Sequence, residues 1–231
     1  MRLADIEYQR VGQLFDTLTP SQWDSPTNCP PWDVRQMAGH MLGMAEMAAS
    51  LIEQRRQLRA AHRRGGEFID ALCAYQVEKH AQKTPDQLRA SWASEAPRAA
   101  RGRRRIPGFV RRRSSPEAPE INGAADPWTI GYLTETILTR DPWMHRLDIA
   151  AATGIKATHT PEHDGVIVDD IVHEWAERHG QPVSLRLDGP AGGSWEFGSG
   201  GPLIELDTVE FCRQTSGRSQ ANGLTETQVP Y

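Results

Sequence analysis

Apolar residues recur at helical spacing through most of the first 154 residues, and the stretches between them carry helix-ending signals. The pattern predicts four helices that are joined by turns and by one long loop. They run from Ile6 to Leu18, from an Asp33 cap towards Arg59, from Phe68 to Trp92 with a break at Thr84-Pro85, and from an Asp126 cap to Gly154. Four helices with one long connection are typical of a bundle, which brings inward-pointing side chains of facing helices together.

Beyond Gly154 the spacing of apolar residues changes. One more helix is predicted over 163–179, and the alternating run 183–187 predicts a β-strand. Further strands are predicted at 194–197 and 203–206, with a short helix over 208–215. We therefore expect an α+β protein, with a helical bundle in residues 1–154 and a small α+β domain in residues 155–231.

The composition is that of an ordinary globular protein, with 38% hydrophobic and 24% charged residues in a chain of 231. No apolar run approaches the roughly 20 residues of a membrane span, and the first residues lack the pattern of a secretory signal. We expect a cytoplasmic protein that does not enter a membrane. The three cysteines, Cys29, Cys73 and Cys212, are widely spaced, which indicates free thiols and excludes a cysteine-based zinc pattern.

Eight arginines lie from Arg98 to Arg113, in a stretch that also contains Pro107 and Gly108. Clustered guanidinium groups attract phosphate and carboxylate, so a binding patch for nucleic acid or another anion is one interpretation. The segment matches no nucleic-acid motif, however, and the net charge of the chain is -4. We predict a long exposed loop and no nucleic-acid partner.

Asp141 and His145 lie four residues apart in the fourth predicted helix, so their side chains point from the same face. His40 lies on the buried face, or its edge, of the second predicted helix. Two histidines and one carboxylate form a set of metal ligands that leaves coordination positions open for water or substrate. The sequence therefore predicts a metal site that joins two helices of the bundle.

Each of these residues also has a purely structural interpretation. A single histidine on an apolar face is commonly a hydrogen-bonded core residue. Because Pro142 disfavours a continuous helix, Asp141 is alternatively the N-cap of a restarted helix, accepting the amide of Met144. Asp148 is either a hydrogen-bond acceptor for an imidazole of the site or a surface charge.

Three stretches of the chain carry a resemblance to known proteins: the run from Trp23 to His40, the run from Arg140 to Asp148 with Ala152-Thr153-Gly154, and the run from Asp207 to Arg218. Together they resemble the mycothiol-dependent maleylpyruvate isomerase family. The resemblance implies an N-terminal four-helix domain of the DinB type and a C-terminal domain related to sterol-carrier folds. It also implies a divalent metal, usually zinc, with His40, Asp141 and His145 at the ligand positions, and a substrate-binding arginine at Arg213 or Arg218.

The implied activity uses mycothiol or a similar low-molecular-weight thiol. A metal-bound thiol loses its proton more readily, and the thiolate attacks a small electrophile such as maleylpyruvate, for isomerisation or for S-transfer. The residues alone leave two other classes open: a metal-assisted hydrolase or non-haem iron oxygenase, and a small-molecule-binding module without catalysis. The expected partners are the thiol and the electrophile, and the expected assembly is a monomer or a homodimer.

Overall fold

A computed structural model describes residues 2–29 and 31–231 of the chain. The chain divides into two compact units, one formed by Met1–Pro119 and Ala125–Ala157 and the other by Glu120–Ala124 and Thr158–Tyr231. The first unit is helical and the second contains a three-stranded sheet with helices. The prediction of a helical N-terminal part followed by a small α+β region is confirmed. Among the described residues, no helix has the length and apolarity that a membrane crossing requires.

Four helices of the first unit pack on one another as a bundle. They are α1 (Arg2–Thr17), α2 (Val34–Ala49), α5 (Pro85–Arg104) and α8 (Leu138–Thr153). Two further helices, α3 (Leu51–Arg64) and α4 (Phe68–His80), pack on each other and on α2. The bundle core is rich in aromatic residues, because Phe15 lies against both Trp23 and Trp92, with ring centroids 5.5 and 5.6 Å apart. Burial of such large rings contributes to the stability of this unit.

The second and third predicted helices are each two helices in the structure. The second ends at Ala49, where Ser50 is extended; its amide donates to the carbonyl of Glu46, and its hydroxyl accepts the amide of Glu53. One serine therefore caps the end of α2 and the start of α3, which gives α3 a different direction from the one that the apolar pattern suggested. The predicted break at Thr84-Pro85 separates α4 from α5, with Thr84 as a capping-box residue.

The prediction of a long exposed loop over the arginine-rich segment is wrong. Helix α5 continues to Arg104, and a short helix α6 follows at Gly108–Arg111. Arg103 is 1% exposed, because Ala96, Ala99 and Ala100 precede it at helical spacing on the buried face of α5. Residues 120–125 form a small hairpin of β1 (Glu120–Ile121) and β2 (Ala124–Ala125).

The fourth helix starts later than the Asp126 cap that we predicted. Thr129 is the cap of α7 (Ile130–Tyr132), whereas the carboxylate of Asp126 accepts the indole N–H of Trp128. A π-helical segment, Leu133–Ile137, connects α7 to α8. Helix α8 begins at Leu138 and continues through Pro142 to the left-handed Gly154, as the sequence predicted for its C-terminal end.

The buried Arg103 explains how the chain accepts both a π-helical segment and a proline in succession. Pro142 has no N–H for the carbonyl of Leu138, its normal helical partner. The guanidinium of Arg103 donates to that carbonyl at 2.8 Å instead, to the carbonyl of Thr134 at 2.7 Å and to the hydroxyl of Thr139 at 2.7 Å. These bonds satisfy backbone acceptors that the irregular helix leaves open.

The second unit has the elements that the sequence predicted, with small shifts at their ends. Helix α9 (Val166–His179) follows a π-helical segment at Pro161–Gly165, and the strands are β3 (Val183–Asp188), β4 (Gly193–Phe197) and β5 (Leu203–Asp207). In the order β4-β3-β5, the central strand pairs antiparallel with β4 and parallel with β5. Helix α10 (Thr208–Thr215) packs on α9, β3 and β5.

Candidate metal centre

The three predicted ligands lie on two neighbouring helices of the bundle. His40 is in the middle of α2, two turns after the capping box in which Asp33 and Gln36 bond each other's amides. Asp141 and His145 lie one turn apart near the start of α8. Because Asp141 lies inside a continuous helix, the alternative that it is the N-cap of a restarted helix is wrong.

The ligand atoms of His40, Asp141 and His145 lie within 4.8 Å of one another, and the two histidines are buried while Asp141 is half-buried. The Oδ1 atom of Asp141 is 3.4 Å from Nε2 of His40 and 3.3 Å from Nε2 of His145. A tetrahedral zinc ion with bonds of about 2.0–2.1 Å places its ligand atoms about 3.3–3.4 Å apart. Two of the three spacings therefore fit a zinc ion closely.

The outer nitrogen of each imidazole has a hydrogen-bonding partner. Nδ1 of His40 is 2.8 Å from Oε1 of Gln76, and Nδ1 of His145 is 3.4 Å from Oδ2 of Asp148. In a neutral ring, an acceptor at Nδ1 favours the tautomer with its proton on Nδ1, in which Nε2 is free to bind a metal. Asp148 is completely buried, so its alternative as a surface charge is wrong and its position is that of an acceptor for His145.

Two groups of the site, His40 and Asp141, have strongly shifted pKa values. Burial lowers the pKa of His40, but charge interactions and hydrogen bonds with Cys73 and Asp141 outweigh it, and the pKa lies well above its usual value. Burial raises the pKa of Asp141, but the two imidazoles lower it far below its usual range. Asp141 is therefore an anion at any physiological pH, and it lies between two imidazoles at which a proton and a metal ion compete for the same nitrogen.

Aromatic and apolar side chains enclose the site. The ring of Trp32 lies 5.1 Å from the ring of His40 and 6.2 Å from that of His145, measured between centroids. On another side of Asp141, Met41, Met44 and Leu138 line a small cavity with room for about one water molecule. Such surroundings limit the access of water to the two imidazoles, which are 4–5% exposed, and strengthen the electrostatic interactions inside the site.

The structure brings the three ligand positions together, and it places the two candidate arginines in the second unit. Arg213 lies in the last turn of α10, and its carbonyl accepts the backbone amide of Arg218 at 2.8 Å. The sequence reasoning missed Gln76 and Cys73, which both act on His40 from α4. The sequence did mark Gln76 as a buried polar residue, because it lies one turn after Leu72 on the buried side of a predicted helix and such a group needs a hydrogen-bond partner.

The raised pKa of His40 predicts opposite effects of pH on stability and on metal binding. A raised pKa in the folded state stabilises the metal-free protein below the unfolded pKa of about 6.5, and this contribution is lost as the pH rises through the folded pKa. Zinc binding requires the neutral imidazole, so zinc affinity rises over the same range. We expect urea midpoints of the chelator-treated protein to fall as the pH rises from about 6.5 through the raised pKa of His40.

Chelator competition measures the affinity over the same pH range. In His40→Ala, the urea midpoint should no longer fall with rising pH through the titration of this imidazole. An unchanged pH dependence in that variant would contradict the assignment to His40.

A four-helix bundle in which facing helices bring two imidazoles and a carboxylate together defines a class of proteins with a potential metal centre in the bundle core. The family model described as the mycothiol maleylpyruvate isomerase N-terminal domain matches residues 4–150, which is more than half of the chain. The chain belongs to this family, and the resemblance found in the sequence is confirmed.

Two solved structures are similar to the chain. A crystal structure of the mycothiol-dependent maleylpyruvate isomerase is 14% identical, with a TM-score of 0.59 over 99% of this chain and 92% of that one. A crystal structure of a mutant of that enzyme, also 14% identical, has a TM-score of 0.58 over 94% of this chain and 88% of the other. At this identity they show likeness of fold alone. No curated protein matches the chain.

Proposed function

We propose that the protein is a thiol-dependent isomerase in which His40, Asp141 and His145 hold a divalent metal, with zinc favoured because two of the ligand spacings fit a tetrahedral zinc ion. The observation that carries the proposal is the convergence of the three ligand atoms, with the outer nitrogen of each imidazole facing an acceptor. Membership of the mycothiol maleylpyruvate isomerase family supports the choice of thiol and of substrate.

The metal, when bound, supplies a positive charge that lowers the pKa of a coordinated thiol, so that the thiolate is present at neutral pH. The residues of the chain keep that site in order. Asp141 supplies the negative charge, His40 and His145 supply neutral nitrogen ligands, and Trp32 covers the two rings. Three protein ligands leave a coordination position open, as catalytic zinc sites require.

The proposed substrate is a small electrophile with a cis double bond next to a carbonyl group, such as maleylpyruvate. The thiolate forms a C–S bond at one alkene carbon, and the π electrons move to the carbonyl oxygen. The former double bond rotates as a single bond. Return of the electrons then expels the thiolate and leaves the trans isomer, so that the thiol is regenerated and no oxidant or reductant is needed.

We further propose that Arg213 or Arg218 binds a carboxylate of the substrate. Guanidinium groups recognise carboxylates through paired hydrogen bonds, which a lysine does not reproduce. If one of the two serves this role, its replacement by lysine should raise KM at least tenfold, while the other replacement leaves KM within about twofold of the parent value. Equal and small effects at both positions would contradict this proposal.

Conversion of maleylpyruvate in the presence of mycothiol tests the proposed function. We expect turnover that requires both the thiol and bound metal, and that is lost on chelation and restored by zinc. S-transfer to another electrophile would consume the thiol, whereas isomerisation leaves its concentration unchanged. Oxygen consumption with bound iron, hydrolysis without thiol, or tight ligand binding without turnover would each contradict the proposal in favour of a different class.

A further inference from the structure

We propose that Gln76 is a positioning residue for His40, and that Gln57 and the backbone of Gly43 determine which way the Gln76 amide points. The inference rests on the proposed function in one respect, namely that the tautomer of His40 matters for holding a metal. The hydrogen-bond relay itself depends on the fold alone. It comprises Gly43, Gln57, Gln76 and His40, which we call the amide relay.

The relay starts at the backbone carbonyl of Gly43, which can only accept hydrogen bonds. Nε2 of Gln57 donates to this oxygen at 3.1 Å. The same Nε2 donates to a carboxylate oxygen of Glu53 at 3.2 Å. Both protons of the Gln57 amide therefore have acceptors on one side, and its Oε1 atom is turned towards Gln76.

The orientation of Gln57 determines that of Gln76. Nε2 of Gln76 donates to Oε1 of Gln57 at 2.9 Å, and it also lies 3.1 Å from the sulfur of Met44. Thioether sulfur is a weak acceptor and no donor, so this side suits the NH₂ group. The Oε1 atom of Gln76 then faces Nδ1 of His40 at 2.8 Å, and Nδ1 must carry the proton.

Burial makes the relay a strong constraint. Gln57 and Gln76 are 0% exposed, so water does not replace a lost partner. A flipped Gln76 amide would set its oxygen against the oxygen of Gln57, so a repulsive contact would replace a hydrogen bond in a medium of low dielectric constant. The amide therefore has one favourable orientation, with Oε1 towards Nδ1 of His40. The competing acceptor is Oδ1 of Asp141, but it lies 3.4 Å from Nε2, whereas Oε1 of Gln76 lies 2.8 Å from Nδ1, so the neutral ring keeps its proton on Nδ1.

Two glycines four residues apart on α2 allow the relay to form. A Cβ atom at Gly43 would lie 2.5 Å from Cγ of Gln76, and one at Gly39 would lie 3.2 Å from Cβ of His80. The first distance is far below van der Waals contact, so any side chain at this position displaces Gln76. The close approach of α4 to α2 is thus a condition for the hydrogen bond to His40.

The tautomer of His40 is the most direct test, since it requires no variant of the relay. Long-range ¹H–¹⁵N correlation spectra of the metal-free protein are recorded above the raised pKa of His40, with His40→Ala used to assign the signals. We expect the neutral ring to carry its proton on Nδ1. A proton on Nε2, or a mixture of both tautomers, would overturn the inference whether or not the protein binds a metal.

Zinc affinity of relay variants tests the consequence. Loss of a hydrogen-bond partner of a ligating histidine commonly lowers metal affinity about 10–100-fold, and we expect this loss in Gln76→Leu. Gln76→Glu keeps an acceptor for the Nδ1 proton and should stay within about threefold of the parent affinity. Leu72→Ala is the matched control, because it removes a buried side chain of the same helix that makes no hydrogen bond in the relay.

The outcomes separate this inference from the proposed function. A parent protein that binds no zinc contradicts the metal site, while its His40 tautomer still decides whether the relay exists. A parent that binds zinc, with Gln76→Leu and Leu72→Ala equal to it in affinity, overturns the positioning role of Gln76 alone. If Gln76→Leu does not fold, the tautomer and the affinity of Gln76→Glu decide between the two results.

Discussion

Replacing His145 by alanine is expected to reduce bound zinc from near one equivalent per chain to near zero. The substitution removes one of three ligands and leaves Asp141 with a single imidazole neighbour. Loss of a ligand should lower zinc affinity more than the 10–100-fold that follows loss of a supporting hydrogen bond. Metal content of untagged protein, measured by inductively coupled plasma mass spectrometry after exhaustive dialysis, reads the result directly.

His62→Ala is the control for this experiment. His62 lies on α3 of the same unit, and its side chain is 59% exposed. The variant therefore makes the same histidine-to-alanine change at a position outside the triad of His40, Asp141 and His145. We expect this variant to retain the zinc of the parent. Equal zinc in His145→Ala and in the parent, with both proteins folded, would show that the metal is held elsewhere.

Replacing Arg103 by leucine is expected to lower the free energy of unfolding by about 3–5 kcal/mol, the sum of several lost buried hydrogen bonds at about 1–3 kcal/mol each. The carbonyls of Thr134 and Leu138 would lose their guanidinium donor in a region that water does not reach. For a chain of this size the melting temperature should fall by roughly 10 °C. Urea denaturation and thermal unfolding measure both quantities.

Two further variants test whether the effect is specific to Arg103. Arg104→Leu is a control for position, and Pro142→Ala tests whether Arg103 compensates for the proline. Arg104 is the next residue but half-exposed, paired with Asp5 at the surface, and its loss should cost less than about 1 kcal/mol. An alanine at position 142 has an N–H for the carbonyl of Leu138, so the double variant Arg103→Leu with Pro142→Ala should recover about 1 kcal/mol. Additive effects would contradict the idea that Arg103 compensates for Pro142.

The ligand set was predictable from the sequence because helical spacing alone puts Asp141 and His145 on one face. His40 was a candidate third ligand from its place on another predicted helix of the bundle, and the resemblance to a known family supported it, but the convergence of the side chains required the structure. The sheet of the second unit was predictable for the same local reason, since Val183, Leu185 and Leu187 alternate with polar residues and are buried.

The errors arose where tertiary contacts override local preference. Arg103 belongs to an arginine-rich run that is typical of an exposed loop, but its guanidinium is satisfied by acceptors from α8 and the π-helical segment before it. In the site, the pairing of Gln76 with His40 was likewise beyond the reach of local patterns, because the two residues lie 36 positions apart. At Ser50, a single capping residue outweighed an apolar pattern that continued past it.

Thiol binding to a cobalt-substituted protein tests metal-assisted thiol activation most directly. Cobalt(II) takes similar ligands to zinc and gives a visible spectrum, and a thiolate bound to it adds a charge-transfer band in the near ultraviolet. We expect this band to appear when mycothiol is added at neutral pH and to be absent in His145→Ala. A protein that binds cobalt at the triad but shows no thiolate band with saturating mycothiol would contradict thiol activation at this centre.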